Sequence, residues 1–177
     1  MDIKQIRGKK SLKLLFLLCT ALLIGTVSAQ IYSYMYIQGS GTITTGGLSW
    51  AKGATAPAGA SVQGYTVTNL NLSILQNNFS NFTDCLRLIN NDASGHTFSL
   101  VATVTGGNST KFTTFDLVVS TTSTGGTGIA KISIKNSGTA SGLTISASQT
   151  LYVRFEVDPL LNANSGTMAF TVKLTYD

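Results

Sequence analysis

The sequence predicts an all-β protein with an antiparallel β-sandwich fold, and three observations support this class. Apolar and polar residues alternate strictly in the last third of the chain, which is typical of strands with one buried face. Turn-forming sequences separate the apolar runs, as in Gly106-Gly107-Asn108, Gly125-Gly126 and Asn164-Ser165-Gly166. After position 29, no stretch of a dozen residues has a helical period. Several short strands of this kind are expected to pack as two sheets.

Residues 1–29 have the order of a secretory signal peptide. Five basic side chains precede an apolar run from Leu14 to about Ile24, and Val27-Ser28-Ala29 then offers small or modest side chains before a cut. The apolar run is shorter than the roughly 20 residues needed to span a membrane, and a permanent membrane anchor is the alternative. Cleavage after Ala29 would leave 148 of the 177 residues, enough for one domain.

Charge and cysteine content restrict the possible functions. Without the leader, 7 Lys and Arg remain against 6 Asp and Glu, so the high isoelectric point gives no indication of nucleic-acid binding. The mature chain keeps only Cys85, which excludes an internal disulfide and is expected to be a core residue. A reactive thiol or an intermolecular bridge is the alternative for Cys85.

The sequence contains no catalytic motif, so we predict no enzyme activity, no cofactor and no metal site. The single histidine, His96, follows a turn and is predicted to be a solvated or hydrogen-bonded turn residue rather than a general base. The six acidic residues after the leader are scattered. A carboxylate pair that converges in space for glycoside hydrolysis remains open.

The predicted strands follow one another from residue 64. The first, 64–75, alternates from Tyr65 and shifts its phase at Leu70. Further strands are predicted at 84–90, 96–104, 111–120, around Ile132 and Ile134, at 151–157 and at 168–176. Residues 51–61 and 76–83 are predicted to be irregular surface segments.

Four sequons make N-glycosylation possible, a number close to the chance expectation for this composition. Three are predicted in loops and the other in a strand. The loop asparagines are Asn78, Asn81 and Asn108, and the strand asparagine is Asn71.

The first residues after the leader, QIYSYMYIQG at 30–39, are apolar, aromatic and uncharged. Their alternation places two sets of residues on opposite faces of one strand: Ile31, Ser33, Met35 and Ile37 on one, and Tyr32, Tyr34 and Tyr36 on the other. One interpretation is the first strand of the protein's own sandwich. The other is a donor strand that leaves its own domain and completes the sheet of a neighbour, head to tail.

Three segments carry a resemblance to a known family: AQIYSYMYIQGSGTI, CLRLINNDASGHTFSLVATV and LTISASQTLYVRFEVDPLLNANSGTMAFTVKLTYD. Together with the leader, they resemble the archaeal bundling pilins, relatives of the bacterial TasA/camelysin biofilm proteins. The resemblance implies a jelly-roll or immunoglobulin-like sandwich with an extended N-terminal donor strand, Ile31 to Ile37. It also implies secretion and a head-to-tail polymer of identical subunits, with lateral contacts between filaments. The expected division is a leader at 1–29, a donor strand at 30–40 and a pilin domain at 41–177.

Two other classes remain open at this stage. A monomeric secreted adhesin or carbohydrate-binding module would keep residues 30–38 folded on itself, and an exposed aromatic platform around Trp50 would support it. A type IV-like pilin would keep the apolar part of the leader and would need a cut at Gly8.

Overall fold

The computed structural model describes residues 34–43, 47–64, 66–75, 78–160 and 167–177, so the predicted leader and residues 30–33 lie outside it. Within these ranges, eleven strands and one short 3-10 helix, Ser109–Lys111, form the fold. The strands are β1 (Tyr34–Ile43), β2 (Leu48–Lys52), β3 (Ser61–Gln63), β4 (Thr66–Leu75), β5 (Ser80–Asn90), β6 (His96–Gly107), β7 (Phe112–Ser120), β8 (Gly128–Ser133), β9 (Thr139–Ile145), β10 (Thr150–Pro159) and β11 (Thr167–Tyr176).

Two sheets pack face to face, which confirms the predicted β-sandwich. Sheet A has the order β3-β4-β1-β11-β6-β9, and sheet B has the order β2-β5-β10-β7-β8. Leaving out β1 to β3, the remaining eight strands give the orders β4-β11-β6-β9 and β5-β10-β7-β8. This is the arrangement of a jelly roll, in which consecutive hairpins cross repeatedly from one sheet to the other. The leading strand β1 is inserted between the first and last strands of that jelly roll.

The core between the sheets is built around phenylalanine rings. Phe115 meets Phe170 edge to face, with 5.2 Å between ring centroids, and Phe155 lies 5.8 Å from Phe170. Phe115 and Phe155 belong to sheet B and Phe170 to sheet A, so these contacts bind the two layers together. The strictly alternating strands β10 and β11 supply much of the rest of the core, as their sequences predict.

A β-bulge explains the phase shift at Leu70 that was predicted in the segment 64–75, which corresponds to β4. Asn69 has a left-handed backbone with φ of 55°, and the pairing between β4 and β1 slips by one residue beside it. The extra residue turns Leu70 toward the core after Val67, so apolar side chains remain buried on both sides of the slip.

Sequence patterns missed the whole of β9 and the beginnings or ends of three other strands. The segment 51–61, predicted to be an irregular loop, includes the end of β2 and the start of β3. Likewise, β5 begins at Ser80, inside the segment 76–83 that was predicted to be irregular. The edge strand β9 was missed altogether, because it lacks regular alternation and Gly142 at its centre has φ of 68°.

A second bulge, in β5, is hydrogen-bonded to the loop after β2. We call the bonds between Gly53, Ala54, Asp84 and Cys85 the Asp84 clasp. Asp84 lies in this bulge with φ of 45°, and its carbonyl is so close to Gly53 that a Cβ there would overlap it. The Gly53 N–H donates to the Cys85 carbonyl at 3.1 Å, and the Ala54 N–H donates to Asp84 Oδ2 at 3.0 Å. The loop is therefore held by main-chain bonds that only glycine at 53 permits.

The Asp84 carboxylate is bound on its other side by Arg87. Nε of Arg87 donates to Oδ1 at 2.9 Å, and Nη2 donates to Oδ2 at 2.6 Å. The Asp84 side chain is 7 % exposed, and these hydrogen bonds outweigh burial and lower its pKa. A buried carboxylate that accepts two hydrogen bonds from Arg87 and one from the loop fixes the bulge in place.

We predict that this clasp makes the fold sensitive to acid. A folded-state pKa below the unfolded value contributes stability above about pH 4 that is lost as the pH falls. Asp84→Asn, which tolerates the same left-handed backbone, should lower the free energy of unfolding at pH 7 by roughly 1.5–3 kcal/mol. The difference between wild type and variant, measured by urea unfolding, should shrink toward pH 2. A difference that stays constant with pH would contradict the assigned role.

Candidate strand-insertion groove

The candidate site is a gap in the middle of sheet A, which we call the β4–β11 groove. Its walls are the facing main chains of β4 and β11, and β1 fills it. β1 pairs with β4 antiparallel, from Tyr34 opposite Leu75 to Thr42 opposite Thr66. It pairs with β11 in parallel, from Tyr36 opposite Thr167 to Ile43 opposite Leu174. Among the strand pairs of the described ranges, this is the one parallel pair.

The walls of the groove continue into the apolar core. Alternate residues of both strands are buried, because each strand turns one face toward sheet B. Without β1, two rows of main-chain donors and acceptors about 10 Å apart would lose their partners, and the core would open to water along one full strand. The buried wall residues are Val67, Leu70, Leu72 and Ile74 on β4, and Met168, Phe170, Val172 and Leu174 on β11.

Two buried glycines mark the centre of β1. A Cβ at Gly39 would overlap the Phe170 ring, which covers the strand at this point. A Cβ at Gly41 would instead meet Val172 O, Trp50 Nε1 and Val67 Cβ at 3.5–3.7 Å, ordinary contact distances. The packing is therefore tight at Gly39, whereas there is spare room at Gly41.

The spare room continues into a narrow cavity of about 10 Å³ beneath residues 40–41, near the lower limit for one water molecule. Trp50 lines it and is 4 % exposed. Within the described part of the chain, Trp50 Nε1 has no hydrogen-bond partner. An unpaired indole N–H in an apolar cavity is unusual in a native core and indicates that β1 fills this part of the groove incompletely.

The predicted donor residues are only partly described. Ile31, Tyr32 and Ser33 lie outside the described residues, whereas Tyr34, Met35, Tyr36 and Ile37 form the first part of β1. β1 continues without a break to Ile43, so the boundary predicted at residue 40 falls inside this strand. The pairing in the single chain does not test whether the strand also completes a neighbour.

The four sequon asparagines are all exposed. Asn71 lies on the outer face of β4, Asn78 precedes β5, and Asn108 caps the 3-10 helix by accepting a bond from the Thr110 N–H at 3.0 Å. Asn81 lies inside β5, so its predicted position in a loop is wrong; the bulged start of that strand gave no alternation to detect. Each position is sterically open to a glycan.

Two residues singled out by the sequence have structural partners. Cys85 is buried in the core as predicted, and burial raises the pKa of its thiol to about 12. His96 lies between the Asp177 carbonyl at 2.9 Å and Asp92 Oδ2 at 2.8 Å, and these two bonds raise the pKa of its imidazole. His96 is therefore hydrogen-bonded, as predicted, but it is the first residue of β6 rather than a turn residue.

Two carboxylates converge on the outer face of sheet B, which sequence patterns did not detect. Asp116 and Glu156 are cross-strand neighbours, and Lys131 Nζ lies 3.1 Å from the first and 2.9 Å from the second. Burial raises the pKa of Glu156, but hydrogen bonds from Lys131 and Arg154 outweigh it and lower the pKa. Glycoside hydrolysis needs one protonated carboxylic acid, and the lowered pKa of Glu156 does not favour that role for this side chain.

Comparison with protein-family models gives no matching family, and no curated protein matches the chain. In the described ranges, no helix has the length and apolar character that a membrane crossing requires. No group of three or more His, Cys, Asp or Glu residues there is placed to hold a metal ion.

We predict opposite effects for two alanine substitutions in β1. Gly41→Ala should leave stability unchanged or raise it by up to about 1 kcal/mol, because its methyl group has room and glycine's unfolded-state entropy is lost. Gly39→Ala should lower stability, because the Phe170 ring must move. Denaturant unfolding of the two single-chain variants measures both, and equal destabilisation would contradict the described packing.

Proposed function

We propose that this protein is the structural subunit of an extracellular filament, assembled when the leading strand of one chain completes sheet A of the next. The observation that carries the proposal is the β4–β11 groove. It is a strand-wide gap at the centre of a jelly roll that the chain's first strand fills. The eight-stranded jelly roll has all its strands without β1, so a copy of β1 from a neighbour could fill the groove in place of the chain's own.

The energetics support exchange between own and neighbouring strands. Burying each large apolar side chain along the groove contributes roughly 1.5–3 kcal/mol, and the main-chain ladder must also be satisfied, so the groove cannot remain empty. A neighbour's copy of the strand offers the same contacts. Exchange therefore costs little beyond association, and since donor and groove lie at different places on the chain, the contact is head to tail and builds an open polymer.

The remaining expectations follow from this arrangement. Secretion would place the polymer outside the cell, and the resemblance to bundling pilins implies lateral contacts, adhesion and biofilm formation. The exposed sequon asparagines suit a solvated filament surface, and the formal net charge of +1 that remains without the leader keeps repulsion between subunits low. No catalytic role is part of the proposal.

A monomeric carbohydrate-binding module is the second candidate. In its favour, β1 pairs within its own chain, and the outer face of sheet A has a polar depression of about 270 Å³ lined by amides and hydroxyls, including Gln38, Asn69 and Asn71. Trp50 lies in the core, so the aromatic platform expected for such a module is not at this residue.

Deletion and complementation test the filament proposal. Deleting residues 30–43 should abolish filaments seen by electron microscopy, and a synthetic peptide of residues 31–43 should bind the truncated chain one to one. A matched control peptide exchanges residues 37 and 38, which moves Ile37 to the outer face and puts glutamine toward the core, and it should bind much more weakly.

A second variant, which also lacks residues 30–43 at their original position, controls for misfolding of the truncated protein. It carries residues 31–43 after Asp177 through a linker long enough to return along β11, since β1 and β11 are parallel. This chain should fold as a stable monomer that neither polymerises nor binds the peptide. Filaments formed by the deletion variant, or a full-length chain that stays monomeric at every concentration after removal of its leader, would refute the proposal.

A further inference from the structure

Residues 31–43 contain two similar heptads that share one residue. The first is IYSYMYI, Ile31 to Ile37, and the second is IQGSGTI, Ile37 to Ile43. Both begin and end with isoleucine, and both have a small residue at the third position. They differ most at the fifth position, which is Met35 in the first heptad and Gly41 in the second. Because the offset of six residues is even, both heptads present the same alternation to a sheet.

In the single chain, the second heptad occupies the centre of the β4–β11 groove. Ile37 pairs opposite Leu72 and Met168, and Ile43 pairs opposite Leu174. Its third residue, Gly39, lies under the Phe170 ring. Its fifth residue, Gly41, borders the cavity that contains the unpaired Trp50 Nε1.

We propose that in the filament the first heptad enters the neighbour's groove in the register that the second heptad occupies in its own chain, a shift of six residues. This inference rests on the proposed function. Ser33 then takes the position of Gly39, and Met35 takes the position of Gly41. Ile31 and Ile37 take the positions of Ile37 and Ile43.

The shifted register places a side chain in the cavity beside Gly41. The Cβ of Met35 has room at the position of Gly41, and its flexible thioether side chain displaces neighbouring side chains as it enters, because a cavity of about 10 Å³ holds only one water-sized group. Its sulfur is a weak acceptor that can receive the unpaired Trp50 Nε1–H. At the position of Gly39, the Cβ of Ser33 requires the Phe170 ring to move, and serine is the smallest residue of the first heptad.

The shift also gives the glycines of the second heptad a role. Once a neighbour's strand fills the groove, residues 38–47 connect the donor heptad to β2, and ten residues reach at most about 36 Å. Glycine suits a connection between subunits because it imposes few backbone constraints. Gly41, which fills the chain's own groove poorly, therefore also suits this connection.

Disulfide mapping of assembled filaments distinguishes the two registers. In the shifted register, residue 36 pairs opposite residue 66 of the neighbour, where Thr42 pairs in the single chain. The matched control is residue 36 with residue 73, which are opposite in the unshifted register. We expect Tyr36→Cys with Thr66→Cys to give a ladder of covalent oligomers after oxidation, and Tyr36→Cys with Ser73→Cys to give none. The native Cys85 can stay, because it is buried and its thiol pKa is about 12.

Each result separates this inference from the proposed function. A ladder from the 36/73 pair would overturn the six-residue shift while supporting strand exchange. Filaments without a ladder from either pair would overturn the six-residue shift, and the deletion variant then decides whether strand exchange occurs at all. Failure of the full-length chain to form filaments would overturn both.

The fluorescence of Trp50, the chain's single tryptophan, provides a readout that needs no cysteine. In the shifted register its indole gains a sulfur contact on assembly, so its emission should change. With Met35→Leu, which keeps the bulk but removes the sulfur, we expect a different change. In an unshifted exchange Gly41 faces Trp50 before and after assembly, so an unchanged emission would overturn the inference.

Discussion

The main-chain pairing of β4 and β11 with one further strand is the constraint on which the rest of the structure depends. These two strands are the first and last of the eight-stranded jelly roll, and they are separated by the width of one strand. Their inward residues, Leu70 and Phe170 among them, belong to the same core as sheet B. Because unpaired buried amides and an opened core are both costly, folding requires an occupant in this gap. The leading strand is thus part of the fold, and under the proposed function it is also the part that a second copy replaces.

Where one face of a strand packs on the core, the sequence contained enough information to predict it. The alternation in β10 and β11 and the phase shift at Leu70 correspond directly to buried residues and to the bulge at Asn69. Edge strands follow a different rule, since few of their residues are buried. For this reason β9, with Gly142 at its centre, and the three-residue β3 had no pattern to detect.

The groove could be predicted only in part. Alternation in residues 31–37 indicates a strand, but it does not indicate between which two strands it lies, because pairing partners are set by contacts distant in the sequence. Gly39 and Gly41 are both buried in β1. Gly39 is there because the Phe170 ring packs over it, a contact between residues 131 positions apart that no local pattern encodes. The clasp at Asp84 was equally invisible, since it depends on the loop containing Gly53.

A groove that must always be filled places a limit on how well the chain's own strand may fit. With a perfect fit, the folded single chain would be so stable that a neighbour's strand could not displace it at ordinary concentrations, because bimolecular exchange also carries the cost of association. With a very poor fit, the exported chain would expose the groove and its sheet edges, and disordered aggregation would compete with assembly. The observed filling lies between these extremes: the main-chain ladder of β1 is continuous apart from one bulge, while Gly41 leaves a cavity and an unpaired Trp50 N–H. If the chain polymerises as we propose, such an occupant protects the groove before assembly and still leaves free energy to be gained by exchange.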